Sequence, residues 1–174
     1  MNTKVLVLLS LLIGMGAVLH SVIPGVFGGM KPDLMLTMMF LGIMLFPNKK
    51  NVLLLSIVAG LISALTTQFP GGQLPNIIDK LITAFVFYGL FLLVGKFAKS
   101  TMGAIVIATI GTMISGVIFL SSALLIAGLP GSATFVGLFI GVVLPTTALS
   151  AIAMLIIYPI AQQLIKRANL PIQA

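Results

Sequence analysis

The sequence predicts an all-α integral membrane protein with six transmembrane helices and both termini cytoplasmic. Three observations carry this expectation. Hydrophobic residues make up 60% of the 174 positions and charged residues only 6%, with a mean hydropathy of +1.29, a balance outside that of water-soluble globular domains. Apolar runs take up nearly the whole chain, so residues 1–174 read as a single membrane domain with loops and no separate soluble unit. Seven of the nine basic residues, Lys4, Lys49, Lys50, Lys96, Lys99, Lys166 and Arg167, fall on one side of the membrane when the chain crosses six times. Basic flanks resist translocation, so that side is expected to be the cytoplasm.

In chain order, the expected spans are 3–23, 32–46, 51–68, 76–97, 102–127 and 133–165. Lys4 precedes the first run as in a signal peptide, but Gly and Pro follow it instead of a small-residue cleavage site, so it reads as a span. The second is short for a full crossing. The sixth is long, and Pro145 and Pro159 are expected to bend or end it. The turn before it is GLPGS, Gly128 to Ser132.

Several function classes drop out on composition. The chain has no cysteine, hence no disulfide and no thiolate metal site. Its net charge of +7 comes from residues flanking the spans, which points to membrane lipid and not to nucleic acid. The string nearest to a phosphate loop, Gly89 to Lys96, has five residues between its glycines and no Ser or Thr after the lysine. Two aspartates and one histidine, well separated in sequence, do not make a hydrolytic or metal centre. Binding or transport is expected, with no catalysis and no cofactor.

Polar side chains are concentrated in QFPGGQLPNIIDKLIT, Gln68 to Thr83. With a helix starting at Asn76, the residues Asn76, Asp79, Lys80 and Thr83 follow i, i+3, i+4, i+7 spacing and share one face, which continues inward to Phe87. Lys31 and Lys80 are the two basic residues expected on the outer side, each with an aspartate near it, Asp33 and Asp79. Charges at membrane depth are costly unless paired or facing a cavity. Two Lys/Asp pairs suit a zwitterion: a carboxylate against Lys31 or Lys80, an ammonium against Asp33 or Asp79. Mutual neutralisation at span ends is the competing explanation. His20, the single histidine, reads either as a ligand contact or as an interfacial residue capping backbone, and Gln73 and Gln68 each read either as ligand contacts or as loop chemistry. Phe27, Met30, Phe69 and Phe87, with Met35, Met38 and Met39, are candidates for an apolar side. Ser10, Gly14, Ala17 and Ser21 form a ribbon of small residues on the first span, suited either to a partner helix or to packing within the bundle.

HSVIPGVFGGMKPDLMLTMMFLGIMLFP, His20 to Pro47, and ISALTTQFPGGQLPNIIDK, Ile62 to Lys80, resemble the bacterial tryptophan transporter family TrpP. The resemblance runs through nearly all six spans, with GMKPD and PGGQ-x-PN-x-x-DK its most specific parts. It implies an S-component-like bundle in the bacterial plasma membrane. Such a substrate-binding subunit of an energy-coupling factor transporter takes L-tryptophan from outside. It docks on a transmembrane coupling subunit driven by two cytoplasmic ATPases. Docking in such subunits uses small residues on the first helix; Ser10 and Gly14 are the matching positions here, where alanines are usual. The absence of tryptophan from the chain fits an importer needed when tryptophan is scarce. The rival expectations are a stand-alone secondary permease and a membrane scaffold without small-molecule affinity.

Overall fold

Short polar side chains set most of the helix starts. Asp33 accepts from the Leu36 amide (2.9 Å), Asn48 from Lys50 (2.9 Å), Ser100 from Gly103 (3.0 Å) and Thr134 from Gly137 (3.1 Å), each satisfying an amide that the first helical turn leaves unpaired. The computed structural model describes residues 3–24, 29 and 31–167, without the side chain of Lys166. Its helices are α1 (Thr3–Val22), α2 (Leu34–Leu45), α3 (Lys49–Thr66), α4 (Gln73–Val94), α5 (Thr101–Ile126), α6 (Phe135–Leu138) and α7 (Leu144–Arg167). A single 3₁₀ turn, Phe97–Lys99, precedes α5, and no strand occurs among the described residues.

Among the described residues, five stretches are long and apolar enough to cross a membrane: α1, α3, α4, α5 and the continuous rod Phe135–Ile165. The expected second span differs. At 12 residues α2 extends only ~18 Å against a hydrocarbon core of ~30 Å. Every residue from Met35 to Leu45 is buried, and α2 packs against α1, α3, α4, α5 and α7. It is the axle of the bundle. Large apolar side chains face outward on the surrounding helices, Leu65, Leu93 and Leu125 being 84% or more exposed, as lipid-facing positions require.

Two other boundaries shift for local reasons. α4 begins at Gln73, three residues before the expected start, because Pro75 is tolerated in a first turn, where its missing N–H has no partner to lose. The Asn76 amide makes the i→i−4 bond to Gly72 O (3.0 Å). The turn into α4 uses Gly71 at φ +69°, against Ala127, where a Cβ has no room. Neither Pro145 nor Pro159 ends the last rod. Ahead of Pro145 the helix widens into a π turn, Phe139–Val143, with the Leu144 amide donating to Phe139 O. Widening relieves the clash a proline ring makes with the preceding turn.

Lipid is as apolar as leucine, so close packing, more than transfer from water, holds such a bundle together. Glycines mark the close approaches. A Cβ on Gly60 of α3 would lie 3.3 Å from Ile77 Cα and 3.5 Å from Lys80 Cβ, which brings α3 against the polar start of α4. A Cβ on Gly111 of α5 would lie 2.7 Å from Phe87 Cδ2 and 2.9 Å from Phe40 Cζ, the two rings stacked at 3.9 Å. Gly111→Ala is therefore expected to cost about 1–3 kcal/mol by overpacking. A lowered apparent melting temperature in detergent is the expected result; an unchanged one would show that α5 does not press on this stack.

The helices alternate in direction. His20 near the end of α1 bonds Thr66 at the end of α3, and Tyr158 late in α7 donates to Lys99 O before α5. Lys4, Lys49, Lys50, Lys96, Lys99 and Arg167 therefore sit at helix ends on one side of the bundle. The ends of α1 and α3 and the starts of α2 and α4 meet at the other.

A polar cavity at the lysine-poor end

Lys80 is the centre of the lysine-poor end. Its Nζ lies 2.5 Å from Asp33 Oδ2 and 2.7 Å from Asp79 Oδ2, with the lysine and Asp79 side chains each only 1% exposed. Asp79 is held on both sides: Thr83 donates to its Oδ1 (2.7 Å) and Ser115 of α5 to its Oδ2 (2.8 Å). One buried ammonium is thus shared by two carboxylates. Enclosed charges persist only when paired and hydrogen-bonded in this way.

Lys31 behaves differently from the expected Lys31/Asp33 pairing. Its Nζ donates to His20 O (2.5 Å) and Thr66 O (2.8 Å), carbonyls in the last turns of α1 and α3, where the helix dipole places partial negative charge. Burial lowers the Lys31 ammonium from its usual value, and the nearby Asp33 carboxylate opposes part of that effect. Asp33 reaches across to Lys80 instead. Burial pushes the Asp33 carboxyl up, but Lys80 and the Leu36 amide outweigh it and leave the group below the usual carboxylate range.

Around this cluster lies a cavity of about 550 Å³, a figure that includes the open space at its mouth. Its charged and amide lining is His20, Lys31, Asp33, Asn76, Asp79 and Lys80. Leu36, Phe69, Phe119, Val142 and Val143 supply an apolar side, with the Phe69 and Phe119 rings edge to face at 5.3 Å. Thr67, Thr112, Ser115 and Thr146 add hydroxyls. Beneath it, Thr37, Thr112 and Ser150 link α2, α5 and α7 by contacts of 3.0 and 3.1 Å.

Among the sequence candidates, His20, Lys31, Asp33, Asn76, Asp79, Lys80 and Phe69 line one cavity. Thr83 stands behind Asp79 as a donor and does not line it. Phe87 is not the cavity floor; it lies a turn deeper, fully buried against Phe40. Gln73 and Gln68 are exposed and outside the lining. Met35, Met38 and Met39 are buried in the α2 core. Phe27, Met30 and most of the loop 24–30 fall outside the described residues. Ser10, Gly14 and Ser21 face outward on α1, and only Ala17 of that ribbon packs on the core. Sequence reasoning missed the contribution of α5. Thr112, Ser115, Gly116 and Phe119 repeat the i, i+3, i+4, i+7 spacing that reveals the α4 face.

Five long apolar helices around a buried central one, with a charged cavity at one end, define a multi-pass membrane protein that can enclose a small polar-ended molecule. The family model described as "Tryptophan transporter TrpP" matches residues 2–166, and the chain belongs to that family. It is 57% identical to a "Probable tryptophan transport protein" of Bacillus subtilis (strain 168), over 97% of this chain and 96% of the relative. Proteins of the same description from Clostridium acetobutylicum and Clostridium perfringens are 45% and 36% identical, over 91% and 97% of this chain and 91% and 97% of theirs. No solved structure matches the chain.

Proposed function

We propose that this chain is the substrate-binding membrane subunit for tryptophan uptake, the S component of an ATP-driven energy-coupling factor transporter in the bacterial plasma membrane. The lysine-rich end is cytoplasmic, with both termini, and the cavity takes L-tryptophan from outside. The observation that carries this reading is the pairing of opposite charges with an aromatic wall in one cavity, in a chain of the tryptophan transporter family. A zwitterion meets both signs there, and its indole meets Phe69 and Phe119. The chain has no phosphate-loop motif, so ATP is hydrolysed by two cytoplasmic partners acting through a transmembrane coupling subunit. Ser10 and Gly14 face outward with open space beside Gly14, which supports their role in that docking. Release follows when docking favours the empty conformation, since a bound ligand leaves only if a partner offsets its affinity.

The protein contains no tryptophan, so added L-tryptophan is the sole indole in a detergent titration. Saturable change in its fluorescence anisotropy is expected, and a free-ligand signal at all concentrations would contradict the reading. In vesicles, uptake is expected only with the ATPase partners and ATP present. Uptake by the chain alone would instead identify a stand-alone permease.

A further inference from the structure

We infer that the cavity receives the substrate's primary ammonium in a notch between His20 Nε2 and Asp33 Oδ1, which makes His20 a specificity-determining residue that reads the amine. The inference rests on the tryptophan-uptake reading above. The two carboxylates of the cluster differ in the acceptor capacity they have left. Asp79 takes three donors, from Thr83, Lys80 and Ser115, and its side chain is 1% exposed. Asp33 takes Lys80 on Oδ2 and the Leu36 amide on Oδ1, and its side chain keeps 18% exposure. Of the two anions lining the cavity, Asp33 is the more exposed and has fewer donors already on it.

A count of protons then fixes the histidine. The Thr66 hydroxyl has one hydrogen, and it is donated to Ile62 O at 2.7 Å. The contact of 2.8 Å between Thr66 Oγ1 and His20 Nδ1 therefore needs the ring nitrogen as donor. In the neutral ring that leaves Nε2 without a hydrogen. His20, 3% exposed, is one of the residues lining the cavity, and its Nε2 stands 3.9 Å from Asp33 Oδ1. Two acceptors at that separation have no hydrogen between them, and a donor placed there can satisfy both.

The separation also selects the donor. A nitrogen at about 2.9 Å from both acceptors sees them about 85° apart across the 3.9 Å gap. A single N–H, as on an indole ring, must divide itself between two directions that far apart. An ammonium has three hydrogens in tetrahedral array and turns one to each acceptor with little bending. Its charge is met by Asp33, while the adjacent cations are already engaged, Lys80 by two carboxylates and Lys31 by two carbonyls. Lys31 has used two of its three N–H groups, and the third is available to the ligand's carboxylate. The ligand's carboxylate is thereby assigned to Lys31 and its ammonium to Asp33 and His20.

The test compares L-tryptophan with indole-3-propionate, which lacks the amine, on the purified full chain in detergent. Wild-type protein is expected to favour tryptophan by more than about tenfold, or about 1.4 kcal/mol. His20→Ala is expected to weaken tryptophan by about tenfold while changing indole-3-propionate less than about twofold. His20→Gln, whose amide oxygen can accept, is expected to recover part of the loss. Equal losses for both ligands in His20→Ala, or none for tryptophan, overturn the inference, and so does equal wild-type affinity for the two ligands. If His20→Ala does not fold, tryptophan with a trimethylated amine serves on the wild type: it keeps the charge but has no N–H, and undiminished affinity overturns the notch. Failure of the wild type to bind any indole overturns the uptake reading itself, a result distinguishable from the others.

Discussion

Lys80→Met is expected to lose about 3–5 kcal/mol of stability and all measurable tryptophan affinity. The lysine ammonium lies between Asp33 and Asp79, and its side chain is 1% exposed. Removing it leaves two carboxylates facing each other with hydroxyl and amide donors but no cation. The cost of an unbalanced buried charge then exceeds what the original pairing contributed, because desolvation of the carboxylates is no longer offset. Apparent melting temperature in detergent measures the first effect and fluorescence anisotropy the second. The two separate in the neutral combination of Lys80→Met with Asp33→Asn and Asp79→Asn, which is expected to regain most of the stability and none of the binding. Recovery of binding in that combination would mean that the charges only brace the helix ends. A Lys80→Met protein as stable as wild type would mean that the cluster is open to water.

Gly116→Leu is expected to weaken tryptophan binding more than about 100-fold, or about 2.7 kcal/mol. Gly116 lines the cavity on α5 directly opposite Val143 of the π turn. A Cβ there would lie 3.1 Å from Val143 Cβ and closer still to its methyl groups. A leucine must occupy the cavity or drive α5 from the last rod, at the expense of ligand volume either way. Gly116→Ala is expected to give a smaller loss, since one methyl is accommodated by a shift of Val143. The order wild type, alanine, leucine in affinity is the expected result; equal affinities would place the ligand elsewhere.

Much of the site was legible because polar residues are so scarce here. Asn76, Asp79, Lys80 and Thr83 share a face in the sequence, and all four are buried together. The α5 wall was illegible for the opposite reason: Thr112, Ser115 and Gly116 are small residues of a kind that packs throughout membrane helices, and their spacing stands out only once a second wall is known. The partners of Lys31 were illegible because sequence proximity suggests Asp33, whereas helix-end carbonyls are brought to it only by the fold. The length of α2 followed the same logic. Its apolar composition reads as a span, but Asp33 caps it at one end and the Asn48 cap of α3 stops it at the other. Full burial, not lipid contact, explains why all of it except Thr37 is apolar. The small-residue ribbon remained ambiguous in sequence, and its outward face is a property of how α1 is rotated on the bundle.

A structure determined with saturating L-tryptophan decides whether this cavity is where the substrate binds. Indole density against Phe69 and Phe119, with the charged end of the ligand at Asp33 and Lys31, is the predicted result. Density bound outside this cavity, with Lys80 and its two carboxylates untouched by ligand, would contradict that placement.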